Sequence, residues 1–392
     1  MDQHSQNPSR ILVVGMADSI HLARWFRQYS DENLEFVLVS SSPHRRVHPM
    51  INKFIRGSEG FTPTIKMPWV SRYLSLPMWI ADRFLRDVLR GSLVASQINS
   101  LNPDLVHALE LQNAGYATAV AYKLLGSKPK PKLLITNYGS EIVWFKQFPV
   151  HLKKLKNLMQ IADAFSAECS RDVQLAKEIG FAGEVMPTIP VSGGIDKNQL
   201  APKSDLIEIQ SRKSIVIKGY QNVWGQALVA LRAIESVAPS LSGYTVELFS
   251  CNRETVVAAK KLKSKTGLDI RTYKKHQLTH PEVLGLMRSS RVYIGLSKSD
   301  GISTSMIEAM SQGAIPIQSN TSCGNEWIRN GQDGYLVAHD DWQAVASNLL
   351  HVLADDEFAL AAQARNLDTI GEKYDSAKLS KTAVGYYEKL LG

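Results

Sequence analysis

The chain has 392 residues, long enough for two domains of ordinary size, and its 44% hydrophobic and 21% charged content is that of a globular protein. No stretch reaches the ~18 uninterrupted apolar residues of a membrane-spanning helix, and the opening MDQHSQNPSR lacks the apolar run of a secretion signal. Cys169, Cys251 and Cys323 show no CxxC or His spacing, so a cytoplasmic protein with buried small cysteines and no metal site is expected.

The net charge of +8 is unevenly placed. Nine basic residues stand against three acids between Arg45 and Arg90, which is +6 of the total. Phe54, Phe61, Trp69, Tyr73, Trp79 and Phe84 are interleaved with them. A basic, aromatic surface suits anionic lipid headgroups, and peripheral contact with the inner face of a membrane through residues 45–90 is one expectation. The bland alternative is a solvated face over a packed helix. No recognised nucleic-acid motif accompanies the charge, so nucleic acid is not expected as a partner.

In chain order, residues 11–14 (ILVV) read as a buried strand. A turn carrying Ser19 and His21 follows, then an amphipathic helix around Leu22, Trp25, Phe26 and Tyr29, then a strand at 36–39. This βαβ opening lacks GxGxxG, which argues against a nicotinamide or flavin site. Apolar residues at 80, 84, 85, 88, 89, 93, 94, 98 and 101 predict one continuous helix over 80–101. A strand then ends near Glu110 and Gln112. Another, at 133–136, leads into Asn137-Tyr138-Gly139-Ser140-Glu141. The first domain closes with a strand and helix over 164–180 and runs to about residue 196. Residues 197–212 are polar and Pro-interrupted, as a linker should be. A second βα series occupies 213–375, opening on the strand 214–218 with Lys218 and Gly219 at its end.

The most informative stretch is 292–317. Val292-Tyr-Ile-Gly295 is a buried strand, Asp300-Gly-Ile-Ser-Thr-Ser305 a turn of small residues, Met306 to Met310 a helix stopped at Gly313, and Ile315-Pro-Ile317 the next strand. Strand, turn, helix, strand places free backbone N–H groups and a positive helix end at the carboxyl edge of a parallel sheet. Asp300 and Glu308 bracket the turn with seven residues between them. Such a site can hold a phosphate on its amides and sugar hydroxyls on its acids.

Asp300-x7-Glu308 followed by Ala309-Met310, Gly313 and Pro316 resembles the donor-site signature of retaining glycosyltransferases of family 4, with Asp where that family usually has Glu. Asn330-Gly-x-x-Gly334-x-Leu-Val337 resembles the family's following turn and strand, and Asn137 to Glu141 its His-Gly-Ser-Asp loop. The resemblance implies an α/β protein of GT-B fold, two Rossmann-like α/β/α domains facing a central cleft. An acceptor domain (1–196, with a C-terminal helix of about 376–392 packing back on it) would face a nucleotide-sugar donor domain (213–375). It implies transfer of a sugar from a nucleotide-diphosphate sugar, with UDP-sugar the expected co-substrate, to a hydroxyl acceptor in cell-surface polysaccharide or glycolipid assembly. No other cofactor is implied, and without a D-x-D pair the reaction is expected to be metal-independent. Asp300, Glu308 and Glu110 would be the catalytic acids, with Glu308 on the ribose and Asp300 on the sugar. Lys218, Gly219, Gly301, Ile302, Ser303 and Thr304 would contact the donor. Ser19, His21, Gln112, Gly139, Ser140 and Glu141 would line the acceptor side.

Two departures stand out. Leu109 replaces a histidine of the family, and Tyr220 and Trp224 stand where the family places an Arg and a Lys that clamp the diphosphate. Burying a diphosphate without paired charge is costly. Lys218, Lys274 and Lys275 are the nearest substitutes. The alternatives left open are a nucleotide-sugar epimerase on the same fold, and a non-catalytic nucleotide-sugar binder or membrane-surface partner.

Overall fold

The computed structural model describes residues 8–29, 34–42, 46–61, 63–196 and 208–392. The expected linker at 197–212 therefore lies, as far as residue 207, outside the described residues. Two units are present. One comprises residues up to Gly194 together with Ser376–Gly392, the other Ile195–Asp375.

The first unit is built on a parallel sheet of seven strands: β1 (Ser9–Gly15), β2 (Leu34–Ser40), β3 (Ile65–Lys66), β4 (Leu105–Leu109), β5 (Lys132–Asn137), β6 (Ala164–Ala167) and β7 (Glu184–Val185). Their spatial order is β3-β2-β1-β4-β5-β6-β7. Ile11, Leu12, Val13 and Val14 are all buried, as a strand covered by helices on both faces requires. The second unit repeats the design with β8 (Ser214–Lys218), β9 (Thr245–Cys251), β10 (Asp269–Lys274), β11 (Val292–Gly295), β12 (Ile315–Ser319) and β13 (Tyr335–Val337), ordered β10-β9-β8-β11-β12-β13. In each sheet the chain runs outward on one side of its first strand and then returns to the other side. The reversal falls between β1 and β4 in the first unit and between β8 and β11 in the second. In doubly wound sheets ligands bind beyond the carboxyl ends of the strands at that point of reversal.

The C-terminal helix Ser376–Leu391 belongs to the first unit. Trp25 donates its indole N–H to the Tyr387 hydroxyl at 3.2 Å, Tyr29 donates to the Ala383 carbonyl at 3.1 Å, and Lys132 donates to the Leu390 carbonyl at 2.8 Å.

The single helix predicted over 80–101 is two helices, Trp69–Leu85 and Val88–Leu101. Arg86 and Asp87 break it with φ of 54° and 68°, in the left-handed region. The buried Asp82 carboxylate accepts from the backbone N–H groups of Leu89 (2.8 Å) and Arg90 (3.0 Å), so the first helix caps the second. Apolar spacing alone could not reveal this, because it continues in register through the break.

Candidate functional site

In the second unit the point of reversal brings the loop after β8 against the loop after β11. Gly225 bridges Ser297, Gln226 N–H donates to the Leu296 carbonyl at 3.0 Å, and Lys298 N–H donates to the Trp224 carbonyl at 2.8 Å. Gly219 permits the first loop to turn close over β9. A Cβ there would sit 2.5 Å from Cys251 Sγ and 2.8 Å from the Phe249 carbonyl oxygen.

Lys218 is the last residue of β8, and Lys298 stands in the facing loop after β11. Burial pushes the Lys218 ammonium down, but Asp300, with smaller contributions from Tyr293, Tyr220 and Glu308, outweighs burial and holds it above the ordinary lysine value. Its Nζ lies 5.3 Å from the centre of the Tyr220 ring. The sequence expectation placed Tyr220 where a clamping Arg would be; here its ring lies against Lys218. Lys274 and Lys275 lie at and just beyond the end of the edge strand β10, two strands away from β8.

Asp300 sits in the turn after β11 and accepts from Gly301 N–H at 3.0 Å. That N–H, expected to meet a ligand, is thus committed to its neighbour. Ile302 and Ser303 are buried, and Ser303 precedes the helix Thr304–Ser311 without a side-chain cap. The first-turn amides of Thr304 and Ser305 have no protein acceptor among the described residues, as at any uncapped helix start. Around the turn, Ser299 Oγ and Gln318 Oε1 are buried and find no hydrogen-bond partner among the described residues. Orphaned buried polar atoms of this kind mark a place that water or a ligand fills.

Glu308 is 9% exposed and faces a residue that sequence reasoning missed: its Oε1 lies 2.8 Å from His280 Nε2. His280 opens the helix His280–Ser289, behind a capping box of Thr279 and Glu282. The Thr-x-x-Glu spacing in the sequence fixes that helix start, but not which carboxylate the imidazole meets.

The first unit gathers most of its candidates at the equivalent edge. Glu110 (φ 96°) follows β4 and caps the π-helix Leu111–Gly115, accepting from Asn113 N–H at 3.0 Å, from Ala114 N–H and from the Ser41 hydroxyl at 3.3 Å. Burial raises its carboxyl above the ordinary range against the pull of those amides and of Arg90. Gly139 (φ 134°) precedes the helix Ser140–Phe145, and Glu141 in its first turn accepts from Tyr138 N–H. Burial, reinforced by Glu110, holds Glu141 well above its usual value. Gln112 donates to the Glu141 carbonyl at 3.3 Å, and the His21 ring lies 6.0 Å from that of Tyr138. Ser19 caps the helix Ile20–Arg27 by accepting from His21 N–H.

Residues 243–368 match a family described as "Glycosyl transferases group 1". The region contains Asp300, Glu308 and His280. Several solved structures share the whole fold. They include HepE of Anabaena in complex with UDP (TM-score 0.69, 13% identity, 97% of this chain and 100% of that one) and a glycosyltransferase of Rickettsia africae (0.67, 15%, 98% and 99%). The fold is GT-B. A GDP-mannose:cellobiosyl-diphosphopolyprenol alpha-mannosyltransferase of Komagataeibacter xylinus is 30% identical over 112 residues, 28% of this chain and 28% of that enzyme. The matches support an enzyme of sugar transfer. The description of the matching family goes no finer than group 1.

Proposed function

We propose that the chain is a retaining glycosyltransferase of the family-4 type that moves a sugar from a UDP-sugar to a hydroxyl of a polysaccharide or glycolipid precursor. The observation that carries this is Lys218 beside Asp300 and Glu308 at the reversal point of the donor-type sheet. A cation, an uncapped helix start and two carboxylates there match the parts of a nucleotide sugar: diphosphate, sugar hydroxyls and ribose. The complexes of HepE with UDP and UDP-glucose favour uridine, and the GDP-mannose relative makes guanosine the competitor.

In transfer, the bond from the anomeric carbon to the β-phosphate oxygen breaks with oxocarbenium character, and negative charge collects on the departing UDP. Lys218 and the amides of Thr304 and Ser305 stabilise that charge where it develops. Asp300 orients the sugar hydroxyls, and Glu308 holds the ribose. The acceptor hydroxyl attacks the face the UDP leaves, and its proton passes to the leaving phosphate, so no protein base is required. We assign the acceptor to the first-unit loops carrying His21, Gln112, Gly139, Ser140 and Glu141. Both Glu110 oxygens are engaged by capping, and its assigned part is to hold the 111–115 turn.

Glu308→Ala should lower UDP release in the presence of acceptor by at least about 100-fold with an unchanged melting midpoint. A variant within a few-fold of the parent rules the assignment out. Conversion of the donor sugar without any acceptor would make the protein an epimerase instead.

A further inference from the structure

The helix Trp69–Leu85 is amphipathic in the wrong sense for packing. Its two buried residues, among those described, are polar: Ser71 accepts from Ser40 N–H at 2.6 Å, and Asp82 lies against the Arg90 guanidinium at 3.0 Å. Its outward side is apolar. Trp69, Tyr73, Ile80 and Phe84 recur at helical spacing along one stripe, which Val70 and Leu74 widen. Phe84 is 84% exposed and Trp69 65%. A globular helix turns such a stripe to the core, so this one is made for something outside the chain.

Charge says what that is. Arg72 and Arg83 flank the stripe and Arg86 ends it, and none of them forms an ion pair among the described residues. The acids between Trp69 and Arg90 are Asp82 and Asp87, both buried and taken up by Arg90, with Lys154 also on Asp87 at 2.7 Å. The outward charge is therefore positive. The Arg72 guanidinium lies 5.8 Å from the Tyr73 ring and Arg83 5.5 Å from Trp79, so cations and aromatics share one surface. We propose that the outer face of this helix docks flat on an anionic lipid bilayer, its aromatic stripe entering the headgroup boundary and its arginines meeting lipid phosphates. At 17 residues it is about 26 Å long, and it lies in the membrane plane. The helix is tied to the turn assigned to acceptor: Trp79 donates its indole N–H to Asn113 Oδ1 at 3.3 Å, and Arg90 reaches the same oxygen at 3.5 Å. A docked helix thus holds residues 111–115 near the surface where a lipid-linked acceptor resides. The docking stands independently of the nucleotide site; only this last step rests on the proposed activity.

Flotation of the full chain with vesicles tests it. Vesicles of equal parts phosphatidylcholine and phosphatidylglycerol should carry the protein, pure phosphatidylcholine should not, and rising salt should release it. The double variant Trp69→Ser, Phe84→Ser should partition about tenfold less with an unchanged melting midpoint, because both side chains are exposed. No binding to the anionic vesicles overturns the proposal, as does binding that the double variant leaves intact. So does a concentration-dependent dimer that the double variant abolishes while vesicles fail to bind, which would make the stripe a contact between copies.

Discussion

The ribose role proposed for Glu308 asks its carboxylate to keep one orientation, and an imidazole stands against it. His280 Nε2 meets Glu308 Oε1 at 2.8 Å and so fixes the plane of the carboxylate. The His280 side chain is 42% exposed, so the pair adds little to folding, and under the proposed function its effect falls on donor binding. His280→Ala should raise the donor KM about tenfold with kcat within a few-fold, and His280→Gln, which can still donate, should recover most of the loss. Steady-state kinetics of both variants checks this. Equal KM in all three proteins would reduce the pair to a surface contact.

At the scale of elements, the helix Ser376–Leu391 is joined to the first sheet through a buried polar relay. Trp25 N–H donates to the Tyr387 hydroxyl, which faces His107 Nδ1 at 2.8 Å, and His107 Nε2 faces Thr136 Oγ1 at 2.6 Å. With the tyrosine oxygen accepting from Trp25, its proton is free for Nδ1, and Nε2–H then donates to Thr136. Burial pushes His107 down from 6.5 to about 3, so the native state keeps it neutral. Its contribution to stability is complete above about pH 6.5 and is lost as pH falls toward about 3, at up to ~1.4 kcal/mol per pH unit. Glu110 and Glu141 act in the opposite sense: raised in the fold, they favour it at low pH and lose that advantage as pH rises through their native values. His107→Gln should be less stable than the parent by ~1–3 kcal/mol at about pH 7, and its stability should fall less steeply on acidification below about pH 6.5. Denaturant melts across that range read both quantities, and parallel curves would contradict the relay.

Over the whole molecule, the features written in contiguous sequence were the legible ones. The buried ILVV and VYIG runs and the Asp300-to-Pro316 spacing mark parallel strands and the turn at the reversal point, because each is a local pattern. The partners were not legible, because they are settled by packing between distant segments. Nothing near Glu308 in sequence points to His280. Nothing around Glu110 announces a left-handed residue capping a π-turn. The break at Arg86 and Asp87 hides inside continuous apolar spacing. The same spacing says that a helix is amphipathic, but not that its apolar side faces outward. Lys218 was legible as a candidate for the missing clamp, but its neighbour Asp300 came into view only with β8 and β11 side by side. The central claim is that Lys218 serves a nucleoside diphosphate. Calorimetric titration of the full chain with UDP and with GDP, in the parent and in Lys218→Met, tests it most directly. The prediction is saturable UDP binding by the parent, tighter than GDP, that weakens about 100-fold, or ~3 kcal/mol, in the variant. Equal UDP affinity in parent and variant, or no binding of either nucleotide by the parent, would contradict it.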